Sequence, residues 1–104
     1  MADNIDLSEF SSNELPFSLD AEQSVIGAML IDPDALTTAM NYLKSESFYI
    51  SMHRDLYSII TRNFAMGVRS DAVTVLDEAV KEGIFENAAA GKEYLVEISR
   101  GIPS

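Results

Sequence analysis

Residues 19–36 read LDAEQSVIGAMLIDPDAL, and this stretch decides the fold. Val25, Ile26, Met29 and Leu30 recur at helical spacing, which gathers them on one face instead of alternating them across a strand. Gly27 and Ala28 are small enough to let a neighbouring helix approach closely. Asp20 is the expected N-cap, with Gln23 three residues on at the spacing of a capping box. Asp32-Pro33 then closes this helix and opens the next. Asp32 can cap, and Pro33 suits the first helical position because its missing N–H would be unpaired there anyway.

The same period continues downstream. Leu36, Ala39, Met40 and Leu43 mark the inward face of a second helix, and the link SESFYIS after Lys44 carries Phe48 and Tyr49, two rings large enough to anchor a loop to the core. Ser51 can cap a third helix running to about Met66, with Leu56, Ile59, Ile60 and Phe64 inward and Gly67 where a left-handed residue is wanted. The β-branched run after Asp71 would suit a short strand in isolation. A cap at Asp71, apolar continuation through Leu76, Ala79 and Val80, and Lys81 before Gly83 favour a fourth helix. Residues 84–90 read as an irregular turn with Ile84 and Phe85 tucked in. A last helix follows from Gly91 to Arg100, with Tyr94, Leu95 and Ile98 on one side and Gly101 and Pro103 ending it. The expected fold is all-α, a compact orthogonal bundle of about five to six helices.

Upstream, residues 1–18, MADNIDLSEFSSNELPFS, are polar and acidic with isolated Ile5, Leu7 and Phe10, and read as a flexible arm before a helical domain at 19–104. The 104 residues leave room for one domain. Net charge is -10, and eight acidic residues precede Lys44, the first basic one. Such a surface repels phosphate, and the seven basic residues are scattered where a DNA-binding face would cluster them. Protein partners are therefore expected, and direct DNA binding is not. With no cysteine the chain has neither a disulfide framework nor a thiolate metal site, which suits a reducing compartment. No apolar run approaches the length of a bilayer span, and the acidic N-terminus is unlike a signal peptide, so a cytoplasmic location is expected.

The residues that invite chemical readings have simpler ones. Gly91-Lys92 fails the phosphate-loop pattern, since Glu86 stands where its first glycine belongs and Glu93 where a hydroxyl must hold magnesium. A helix entrance is the better account. His53 is the only histidine and lacks companion ligands or a visible nucleophile, so a bond to a backbone or carboxylate neighbour is expected. Asp32 and Asp34 sit at a helix start, where capping and the dipole explain them. No catalytic, cofactor or metal site is expected.

Residues 19–36 resemble the opening of the N-terminal domain of bacterial replicative DNA helicases of the DnaB family: an AEQ triplet, a hydrophobic-Gly pair, then an aliphatic-Asp-Pro turn. The resemblance continues in register through Phe48-Tyr49 with His53 and Ile60, through Gly67 with Asp71-Ala-Val-Thr-Val, and through Gly83, Gly91, Tyr94-Leu95 and Pro103-Ser104. It covers roughly residues 16–104. Ala90 departs from it, standing where the family has the first glycine of a pair, which puts the local loop conformation in question. The resemblance implies a non-catalytic collar module of a hexameric ring, contacting neighbouring subunits, primase and, in some lineages, a helicase loader. ATP and magnesium would belong to a downstream RecA-like motor domain. It also implies that a helical hairpin following Pro103-Ser104 is missing, so that the fragment is expected to be a monomer or weak dimer.

Other readings are a helicase-binding C-terminal domain of a primase, a generic acidic protein-interaction domain, and a fragment of an enzyme or regulatory ATPase. The AEQ opening close to Met1 argues against the primase domain, which follows two others. For the partner surface, Tyr94 and Ile98 are four residues apart and can form an exposed aromatic-aliphatic anchor for primase, with core packing as the plainer alternative. If they form that anchor, Tyr94→Ala is expected to weaken primase binding without unfolding the domain.

Overall fold

The computed structural model describes residues 18–101. Five α-helices follow in order: α1 (Leu19–Ile31), α2 (Pro33–Tyr42), α3 (Ser51–Ala65), α4 (Ala72–Lys81) and α5 (Ala88–Ser99), with a 3₁₀ turn at Ser45–Ser47 between α2 and α3. Among the described residues every regular element is helical. The expected acidic arm lies outside the described residues except for Ser18, which belongs to the helical domain.

Ser18 is the N-cap of α1, its hydroxyl accepting from the Ala21 N–H at 3.1 Å. The expected cap at Asp20 is therefore displaced. Asp20 lies in the first turn, where its charge favours the helix N-terminus, and Gln23 points into the protein instead of closing a capping box. Asp32 and Asp71 cap α2 and α4 as expected, accepting from the N–H groups of Asp34 and Thr74 at 2.9 Å each. α5 begins three residues before Gly91. Asn87 accepts from the Ala90 N–H at 2.8 Å, and three successive alanines, the strongest helix formers, carry the first turn. The irregular turn is shortened accordingly. Gly67 follows α3 at φ +74°, which lets the Val68 N–H reach back to the Asn63 carbonyl at 2.8 Å and turns the chain sharply toward α4.

α1 lies at the centre, against α5, α2 and α3, while α4 packs on α5 and α3. The tightest approach is at Gly27, where an added Cβ would fall 1.9 Å from the Ile98 carbonyl oxygen of α5. A backbone atom cannot rotate away, so only glycine allows this crossing. The core holds the α1 stripe with Leu36, Ala39 and Leu43 from α2, Leu56, Ile59 and Ile60 from α3, Val75 and Ala79 from α4, Phe85, and Leu95 from α5.

Three expected core residues face solvent: Met40 is 37% exposed, Tyr49 71% and Phe64 43%. Adjacent aromatics in an extended link point to opposite sides, and Phe48 takes the inward place. On α3 the buried stripe runs through His53, Leu56, Ile60 and Asn63, which turns Phe64 one position past the interface.

A buried polar cluster joining three helices as the candidate functional site

Glu22 and Gln23 stand four residues before Ile26 and Gly27, and so lie on the apolar stripe of α1. Both are buried, at 6% and 3% exposure. The Glu22 carboxylate accepts from the Tyr49 N–H at 2.7 Å and the Ile50 N–H at 3.3 Å, and lies 2.8 Å from Nδ1 of His53. Ile50 is the N-cap of α3 and offers no side-chain oxygen. The expected cap at Ser51 is thus replaced by a carboxylate reaching over from another helix, which meets the positive end of α3. Arg54 grips the same link from its other polar groups, donating to the carbonyls of Phe48 and Tyr49 at 2.9 and 2.7 Å.

His53 is fully enclosed, and its second ring nitrogen, Nε2, lies 2.5 Å from the Tyr94 hydroxyl of α5. Gln23 donates to that same hydroxyl at 3.1 Å. The proton order follows from the acceptors: a carboxylate only accepts, so Nδ1–H donates to Glu22 and Nε2 is left to accept from Tyr94. Tyr94 then uses its proton on His53 and a lone pair on Gln23. Burial pushes the Tyr94 hydroxyl above the usual phenol range, with the Gln23 hydrogen bond opposing and the negative charge of Glu22 adding to the rise. The expected structural role of His53, bonded to a carboxylate neighbour, is what the geometry shows.

Carboxylate, imidazole and hydroxyl in this order also describe a nucleophilic relay. The surroundings argue otherwise. The imidazole has no exposed surface, both its nitrogens are spent on links between helices, and the hydroxyl belongs to a half-buried phenol that also holds Gln23. The arrangement fixes α1, α3 and α5 at one register. An apolar interface tolerates sliding, whereas a chain of directed hydrogen bonds does not.

Gly91-Lys92 lies inside α5. A Cβ at Gly91 would meet Phe85 Cδ2 at 2.6 Å and Leu76 Cδ1 at 2.8 Å, so the glycine serves packing. Ala90 is exposed within the helix, so its departure from the glycine pair meets no obstacle. Among the described residues no group of three or more His, Asp or Glu is placed to hold a metal ion. No helix of the described residues is long and apolar enough to cross a membrane. Ile98 is 2% exposed and belongs to the core, beside the Gly27 crossing, which leaves it without a surface for a partner. Tyr94 is half-buried and structurally engaged. Sequence reasoning missed Glu22 and Gln23 as members of the cluster; their readable sign was polarity at two inward positions of α1.

Fold and cluster together define an all-helical module whose buried polar groups tie α1, α3 and α5 to one another. The comparisons with known proteins agree. The profile of the family described as "DnaB-like helicase N terminal domain" matches residues 14–104, and the chain belongs to that family. It is 35% identical over 89 residues to the replicative DNA helicase DnaB of Leifsonia xyli subsp. xyli, covering 86% of this chain and 19% of that protein. With the replicative DNA helicase DnaB of Mycobacterium leprae it shares 33% identity over 102 residues, 98% of this chain and 17% of the relative. The crystal structure of the N-terminal domain of DnaB helicase from Mycobacterium tuberculosis superposes with a TM-score of 0.76 at 34% identity, covering 86% of this chain and 61% of that one. The chain thus spans about a fifth of the length of these curated relatives.

Proposed function

We propose that this chain acts as the collar domain of a ring-shaped replicative helicase, supporting assembly of the hexamer and receiving primase and a helicase loader, while unwinding driven by ATP and magnesium belongs to a motor domain of the parent protein. The supporting observation is where the resemblance-bearing residues go. Glu22, Gln23, His53 and Tyr94 meet inside the domain, and the Glu22–His53, His53–Tyr94 and Gln23–Tyr94 bonds each tie one helix to another. These residues set a rigid shape, and a rigid shape with an acidic surface is what a docking platform for proteins requires. The charge of -10 also disfavours a direct role in gripping DNA and favours protein partners in its place.

The test is a pair of titrations at physiological ionic strength. Calorimetry with the cognate primase should show saturable binding, and fluorescence anisotropy with single-stranded and forked DNA should show none. DNA binding that falls steeply with added salt, alongside no heat with primase, would overturn the proposal.

A further inference from the structure

Where the α1–α2 corner meets the connection between α3 and α4, the surface opens into a largely apolar groove of about 340 Å³. Met29 and Leu36, both buried, contribute to its floor, while Ile31, Phe64 and Val68 line it at 66%, 43% and 42% exposure. A cavity of about 150 Å³ accepts a benzene ring, so the groove has room for roughly two large apolar side chains. Its carboxylates outnumber its cations. Asp32 and Asp71 both line it, and Arg69 is already taken up by Asp71 at 3.0 Å. Asp32 gives one oxygen to the Asp34 N–H, and among the described residues neither Asp32 nor Asp34, both exposed, forms an ion pair. The amino end of α2 offsets only about half a charge, so this corner stays negative.

We infer that the groove docks a segment of another protein in which two large apolar side chains are flanked by lysine or arginine, one of these meeting Asp32. Charge selects this occupant. A second copy of this chain, at net charge -10, would bring like charge to the rim. Nucleic acid and an anionic lipid surface would do the same. An uncharged apolar segment would fill the floor but strip water from the Asp32 carboxylate without replacing it. A basic segment meets both demands, since its apolar side chains cover the floor while its cation takes the place of that water. The inference rests on the groove and not on the collar role, so a primase that failed to bind would leave it standing.

The test titrates three short peptides into the isotope-labelled full chain at physiological ionic strength and follows the amide signals of Ile31, Val68 and Ser70. The first peptide is built of leucine, phenylalanine and lysine, the second replaces its lysines with glutamate, and the third replaces its apolar residues with serine. The first should shift these signals saturably, and the other two should bind at least about tenfold more weakly. Asp32→Asn, which keeps a good helix cap, should weaken the first peptide several-fold, and Val68→Asp, on the exposed connection, should abolish the shifts, each with helical circular dichroism intact. Absence of saturable shifts at the groove would overturn the inference, as would affinity unchanged by either substitution. Equal binding of the serine peptide would reduce the effect to charge alone, equal binding of the glutamate peptide would remove the role of Asp32, and groove signals that move on dilution of the chain by itself would assign the site to a second copy; each of these overturns it equally.

Discussion

Replacing Glu22 with alanine tests whether the buried cluster holds the domain together. The carboxylate accepts from the Tyr49 and Ile50 N–H groups at 2.7 and 3.3 Å and from the imidazole at 2.8 Å. Without it the enclosed imidazole N–H loses its acceptor, a cost of about 1 to 3 kcal/mol, and the Tyr49 amide loses a hydrogen bond to a charged group worth about 1.5 to 3 kcal/mol. The Ile50 bond is long and its residue half-exposed, so water replaces it at little cost. The expected loss is roughly 3 to 5 kcal/mol, the two costs taken together. A domain of this size has about 5 to 15 kcal/mol in total, and each kcal/mol moves the melting temperature by about 4 to 8 °C. Urea unfolding followed by far-UV circular dichroism gives the difference directly. Glu22→Gln should fall between, because its carboxamide oxygen still accepts while its amino group turns a donor toward donors. A loss from Glu22→Ala below about 1 kcal/mol, as for an ordinary surface change, would refute the reasoning.

Two further substitutions separate packing from capping. Gly27→Ala should destabilise by about 1 to 3 kcal/mol or more, since its Cβ would fall 1.9 Å from a backbone oxygen of α5; the gain of up to about 1 kcal/mol normal for this change in an exposed helix would show that α1 and α5 do not cross there. Asp71→Ala should cost about 1 kcal/mol at neutral pH through the lost cap. The Thr74 N–H holds the Asp71 carboxyl below the usual carboxylate range, burial opposing and Arg69 assisting. A depressed folded-state value means that this contribution is present above the unfolded carboxylate value, about pH 4, and disappears as pH falls through the folded one. The gap between wild type and Asp71→Ala should therefore close on acidification, and a gap that stays constant from neutral to strongly acidic solution would contradict the assignment.

The fold was readable wherever local rules decide. The stripes of α1 and α3 follow from spacing, and the caps at Asp32 and Asp71 from residue type and position. Where two local solutions compete, sequence cannot choose between them. Ser18 and Asp20 are both good caps, and the choice falls on the residue with extended backbone, Ser18 at φ -150° and ψ 114°. The start of α5 was legible in Asn87 and three alanines, but Gly91 suggested a later beginning because glycine more often borders helices than fills them. Least readable was the cluster itself. Glu22 meets partners 27 to 31 residues away and Tyr94 meets His53 across 41, separations at which pairing depends on how the helices pack.

That long-range cluster changes how a partner-binding role for Tyr94 must be tested. Tyr94→Ala removes the ring that packs near Phe85 and His53 together with the hydroxyl that links His53 to Gln23, so reduced primase binding would follow from a damaged domain as readily as from a lost contact. Alanine at this position therefore tests the fold and the surface together. Tyr94→Phe separates the two effects. It keeps the ring and removes the hydroxyl that His53 Nε2 bonds, at an expected cost of about 1 to 3 kcal/mol. If the ring touches primase, affinity measured well below the variant's melting temperature should hold while urea stability falls. Affinity that falls in step with stability across Tyr94→Phe and Glu22→Ala would show instead that primase recognises the register of α1, α3 and α5, and that Tyr94 contributes only by holding it.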